Sequence, residues 1–99
     1  MRKFETLEGA VIRWASDRHI LTESNWSCQL KKLEEEFREL HDAFTIREKW
    51  DAIGDMTVVL ILLAWFSKSD ITECLNNAYE QIKDRKGKMV DGIFVKEGD

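Results

Sequence analysis

Residues 45–66 read TIREKWDAIGDMTVVLILLAWF, and this stretch decides the fold. Thr45 followed three residues later by Glu48 is a capping-box pattern, in which each side chain satisfies a backbone amide at a helix start. A helix is therefore predicted from about Ile46, through Trp50 and Ile53, to about Ser67. Its second half, Met56 to Phe66, is apolar except for Thr57. A helix that is apolar around nearly its whole circumference must be covered on all sides, which places this one at the centre of a core. It is too short to be a membrane span, which needs about 20 apolar residues.

Working outward, Leu30, Leu33, Phe37, Leu40 and Phe44 recur every three or four residues, the spacing of one helical face, and predict a helix from about Ser27. Phe4, Leu7, Val11, Trp14 and Ala15 mark an earlier helix ending near Arg18. His19 to Trp26 breaks the pattern and reads as a loop, with Thr22, Ser24, Asn25 and Ser27 as available caps. Downstream, Asp70 with Glu73 caps a helix carrying Ile71, Leu75, Ala78, Tyr79 and Ile82, and Gly87 is placed to terminate it. The period then changes. Met89 to Val95 reads as two short strands around the Asp91-Gly92 turn. The expected architecture is all-α, a bundle of four main helices with a short carboxy-terminal β-hairpin, and the uncovered apolar helix points to a homodimer.

Ninety-nine residues, 43% apolar and 34% charged with no proline, fit one domain spanning residues 1–99 and exclude a disordered or proline-rich chain. Cys28 and Cys74 have no CxxC partner and no neighbouring His, so neither a zinc site nor a disulfide framework is expected and both read as small core residues. A net charge of −4 disfavours direct nucleic-acid binding as the main activity, and a phosphorylated ligand would call for metal ions as intermediaries. The opening MRKFETLEGA has no apolar signal region. A cytoplasmic protein with no membrane partner is the expectation.

The residues with chemistry are acidic. Glu36 and Glu39 are three apart on one predicted helix, and Asp51 and Asp55 are four apart on the next, so each pair shares a helix face. A short connection between antiparallel helices brings the pairs together. Such a cluster repels itself unless cations or solvent compensate it, and oxygen-only ligands suit Mg²⁺ or Mn²⁺ better than zinc. Charge runs are ordinarily solvated helix faces, a reading that fits Glu34, Glu35 and Glu36 taken alone. Asp55, at the head of the apolar run and flanked by Ile53 and Met56, is expected to be partly buried, and Gly54 beside it implies either close helix packing or backbone room for a ligand.

Glu35-Glu36-Phe37-Arg38-Glu39 followed by Gly54-Asp55 and Met56 to Leu60 resembles the all-alpha nucleotide pyrophosphohydrolases of the MazG-like group, phage and bacterial members included. The similarity covers about residues 14 to 95, with Gln29 and Lys32 leading into the acidic stretch and the Lys83 to Lys88 segment near its end. It implies Mg²⁺-dependent hydrolysis of nucleoside triphosphates to the monophosphate and pyrophosphate. Metal ligands would be Glu36, Glu39, Asp51 and Asp55, with Glu35 as a base. The implied assembly is a homodimer or dimer of dimers in the cytoplasm, that of the host if the chain is phage-encoded. One position departs from the family pattern. Ala52 stands where a ligand glutamate is expected, and Asp51 replaces it better than Glu48, which lies roughly 10 Å from Asp55 along the helix axis.

Lys83, Arg85, Lys86 and Lys88, with Lys32, are candidate contacts for the triphosphate, although cations at a helix end also answer the helix dipole. Trp14, Trp26, Trp50 and Trp65 read first as core or interface residues, and Trp26 beside the capping loop is the candidate for base contact. His19 and His41 read as surface residues. The competing reading is a catalytically inactive helical dimer that binds a partner protein.

Overall fold

The computed structural model describes residues 1–98, in which five helices precede a two-stranded antiparallel hairpin. The helices are α1 (Phe4–Asp17), α2 (Ile20–Glu23), α3 (Trp26–Asp42), α4 (Ile46–Phe66) and α5 (Ile71–Ile82), and the strands are β1 (Gly87–Val90) and β2 (Ile93–Lys96).

The starts of α3, α4 and α5 are fixed by side chains. Asn25 Oδ1 accepts from Cys28 N at 2.9 Å to open α3. At α4 both halves of the capping box form, with Glu48 N donating to Thr45 Oγ1 at 3.1 Å and Thr45 N donating to Glu48 Oε1 at 2.8 Å. Asp70 Oδ1 accepts from Glu73 N at 2.8 Å to open α5. Each cap satisfies an amide that the first helical turn leaves without a partner.

The core lies where α3 and α4, joined by residues 43–45, form a helical hairpin with α1 against α4. Val59, Ile61, Leu62, Leu63 and Ala64 are buried, together with Ala15 and Ala52. The apolar half of α4 is thus the centre of the fold. Burying a Leu or Ile side chain stabilises by about 1.5–3 kcal/mol, so this one helix supplies most of the core's driving force. Beyond Ser67 the chain turns by 94° into α5. Leu75, Tyr79 and Ile82 make α5 amphipathic, yet it has no buried residue. Among the described residues no single helix is long and apolar enough to cross a membrane.

Four local expectations are corrected. The segment after α1 is not wholly loop, because His19 adopts a left-handed φ of 63° and the half-buried Ile20 and Leu21 start a one-turn helix. Gly87 does not end α5, which stops at Ile82; it pairs with Lys96 in the hairpin, where a Cβ would collide with the carbonyl of Val95. The turn it leads to is as expected, with Asp91 and Gly92 at φ 50° and 81°, both positive as a two-residue hairpin turn requires. Cys28 and Cys74 are exposed, since each lies on a helix face that none of the described residues covers.

The fourth correction concerns Gly54, which is not a close-packing residue: an added Cβ there meets nothing within 4 Å. Glycine in a helix interior costs up to about 1 kcal/mol relative to Ala. Gly54→Ala is therefore expected to stabilise the protein by about 0.4–1 kcal/mol, measured as a shift of the urea midpoint at constant slope.

Candidate metal centre

On α3 the side chains of Leu33, Glu36 and Leu40 fall within about 60° of one another, at 100° per residue, and face α4. Glu36 is consequently the buried carboxylate among the described residues, 5% exposed, whereas Asp55 is exposed. That reverses the burial expected for Asp55. The reason is that Asp55 lies on the rim of α4 between two open grooves, while Glu36 points across the helix pair. Glu39, one turn further along α3, and Asp55 on α4 complete a cluster in which one oxygen from each of the three lies within 4.8 Å of the others.

The electrostatics of this group are unbalanced. Lys32, one turn earlier on α3, places Nζ 3.3 Å from Glu36 Oε1. Glu36 Oε2 is buried with no hydrogen-bond partner. The negative charge of Glu36, and then a proton shared with it, pushes the Glu39 carboxyl above its ordinary value, with Asp55 adding to the effect and Lys32 opposing it. The hydrogen bond to Glu36 and then the charge of Glu35 raise Lys32 in turn. A polar atom left unpaired in a buried place is costly. Three convergent carboxylates around an orphaned oxygen are the donor set a hard divalent cation takes.

Ala52 is buried where α4 meets α3. Asp51 is exposed and stands outside the three-carboxylate group, but it lines a groove of about 420 Å³ with Arg38, Glu39 and Asp55. Glu48 also reaches that groove, yet its Oε1 accepts from the amides of Thr45 and Phe44 at 2.8 and 3.3 Å. Those hydrogen bonds, Thr45 first, hold its carboxyl below the ordinary range. Its side chain is committed to the helix cap.

On the other side of Asp55 runs a groove of about 600 Å³ in which Leu7, Val11, Trp14 and Val58 meet Lys32, Glu36 and Asp55. Trp14 was missed as a site residue, and so was Arg38. The signal for Trp14 was its place on the Leu7-Val11-Trp14 stripe, which aims the indole toward the helix pair. Trp26 heads α3, half exposed, and lines neither groove, and none of the four tryptophans is buried. Glu35 is solvent-exposed and lines neither. Lys83 pairs with Glu80 at 2.6 Å, Arg85 and Lys86 lie between α5 and the hairpin and Lys88 lies on β1, and none of these four cations lines a groove beside the carboxylates. His19 and His41 are exposed, as expected.

Comparison with protein-family models, with curated proteins and with solved structures finds no match for this chain. The site has to be read from its own chemistry.

A pH dependence follows from Glu39. Its carboxyl is raised in the fold, so between the ordinary value of 4.5 and the folded value the native state binds more protons than the unfolded one. This contribution is fully present below pH 4.5 and is lost as the pH rises through the folded value. In metal-free buffer, Glu39→Gln is expected to flatten the fall in melting temperature above pH 4.5. Parallel curves for parent and variant would show that Glu39 is not coupled to Glu36.

Proposed function

We propose that this chain is a divalent-metal-dependent hydrolase of nucleoside triphosphates, releasing the monophosphate and pyrophosphate. The observation that carries the reading is the buried, unpartnered Oε2 of Glu36 inside a three-carboxylate group drawn from two helices. Glu36, Glu39 and Asp55 would hold Mg²⁺ or Mn²⁺, with Asp51 beside them. The cation would neutralise phosphate charge and acidify an attacking water.

The chain's own groups divide the remaining work. Arg38, in the groove with Glu39 and Asp51, carries the charge to hold a phosphate. Lys32 sets a positive charge against Glu36 through the 3.3 Å contact. Leu7, Val11 and Trp14 offer an apolar surface and one aromatic face for a base, directly beside the carboxylates. Glu35 is a base for the attacking water only if its side chain swings toward the cluster from its exposed position. Lys83, Arg85, Lys86 and Lys88 stay candidates for the outgoing pyrophosphate by way of the arm that bears them.

The test is pyrophosphate release from a panel of nucleotides with and without Mg²⁺. Metal-dependent release that Asp55→Asn lowers at least a hundredfold is the expected result. Absence of release from every nucleotide would leave the inactive interaction module, which the exposed apolar residues of α3 and α4 favour.

A further inference from the structure

The groove of about 600 Å³ beside Asp55 has two unlike walls. From α1 come Leu7, Val11 and Trp14, which fall within about 60° of one another at 100° per residue. From α3 come Lys32 and Glu36, while α4 adds Asp55 and Val58. No side chain lining the groove carries an amide or a hydroxyl. On the α1 wall the indole N–H of Trp14 is the one side-chain group able to form a hydrogen bond.

Trp14 is held in that wall by Arg18, one turn later at the carboxy-terminal cap of α1. Arg18 Nη1 donates to the carbonyl of Trp14 at 3.1 Å, one of the last four carbonyls of the helix, which need partners from outside it. The same guanidinium lies over the indole, its central carbon 4.7 Å from the ring centroid, a cation–π contact. Arg18 does not line the groove, so the ring surface turned to the groove is the one it leaves uncovered. Trp14 is still 43% exposed and can meet a ligand there.

We infer that the α1 wall is a stacking seat for a purine: Trp14 selects purine over pyrimidine nucleotides, and Arg18 is its positioning residue. The inference rests on the nucleotide reading above and adds the base to it. Charge argues for the occupant, because carboxylates and a lysine beside a flat apolar wall match a ligand with a metal-bearing anionic end and a flat aromatic end. The two fused rings of a purine cover more of the indole, and of Leu7 and Val11, than the single ring of a pyrimidine, and stacking strengthens with the area in contact. Adenine and guanine differ in their hydrogen-bonding edges, which this wall has no side chains to read. An apolar pocket separates ligands weakly when they differ by a polar group alone. Purines as a class, and not one of them, are therefore the fit.

The test is titration calorimetry of the full chain with the Mg²⁺ complexes of four α,β-imido triphosphates, those of adenosine, guanosine, cytidine and uridine, which resist cleavage between the α and β phosphorus. The two purine analogues are expected to bind at least about tenfold more tightly than the pyrimidine ones, and within about threefold of each other. Trp14→Leu is expected to reduce the purine-to-pyrimidine ratio to within about threefold, and Trp14→Phe, which keeps a smaller ring, to leave an intermediate ratio. Arg18→Met retains the aliphatic stem and is expected to weaken the purine analogues about three- to fivefold while leaving the pyrimidine ones near the parent values. Equal binding of all four analogues by the parent would overturn the inference, as would a ratio that survives Trp14→Leu. Equal weakening of all four by Arg18→Met would make Arg18 a structural cap and remove its positioning role. Because the analogues are not cleaved, purine-selective binding without pyrophosphate release from ATP would sink the hydrolytic reading alone, and release without base preference would sink this inference alone.

Discussion

Glu36→Gln is expected to abolish the rise in melting temperature that Mg²⁺ gives the parent protein, while leaving the metal-free protein close to its original stability. A cation bound only by the folded state at about a hundred times its dissociation constant stabilises it by about 2.7 kcal/mol. For a domain of this size that is on the order of 10 °C or more in melting temperature. The parent carries the cost of an unpartnered oxygen at Glu36 Oε2 and of repulsion between Glu36 and Glu39. Glutamine removes the repulsion and also the Lys32 contact at 3.3 Å, two changes of opposite sign, so the metal-free state moves little. The metal-bound state loses a charged ligand that no neighbour replaces. Scanning calorimetry of both proteins over a Mg²⁺ titration decides the matter. An undiminished shift in the variant would mean that the carboxylates do not hold the cation.

The second large effect separates two neighbouring acids. Asp51→Asn is expected to lower Mg²⁺-dependent pyrophosphate release at least about tenfold with an unchanged circular dichroism spectrum. Glu48→Gln is expected to leave the rate near that of the parent and to lower the melting temperature instead. Both residues line the groove with Asp55, but Glu48 is tied to the amides of Thr45 and Phe44, whereas Asp51 has no such bond. The depressed carboxyl of Glu48 sharpens the contrast. A lowered carboxyl contributes stability that is present above its ordinary value of 4.5 and is lost as the pH falls through the folded value. Glu48→Gln should therefore reduce the acid-induced part of the melting curve's pH dependence. A parent-like rate in Asp51→Asn would confine the site to Glu36, Glu39 and Asp55.

Both predictions start from spacing that was legible before any coordinates. Thr45-Glu48 and Asp70-Glu73 specify helix starts because a cap is a contact between residues three apart, and each forms as the sequence implies, whereas the structure selects Asn25 from four candidate caps before α3. The apolar run of α4 likewise announces its own burial, and Asp91-Gly92 its own turn. These are local facts, settled by a few consecutive residues. The pairing of Glu36 with Glu39 on one face is of the same kind.

What only the tertiary structure decides is which of those groups is enclosed. Asp55 has the more apolar neighbours in the chain, yet Glu36 is the buried acid, because burial depends on which way α3 is turned against α4 and not on the flanking residues. Trp14 joins the site and Trp26 does not for the same reason: α1 folds back over α4, while the head of α3 points away. Cys28, Cys74 and Gly54 are exposed because no element among the described residues covers their faces. The sequence by itself determined the four longer helices, the caps of α4 and α5, the hairpin turn and the face on which the acids gather. The packing of α1, α3 and α4 decided which oxygen lost its water, since desolvation is a property of neighbours brought together from distant parts of the chain.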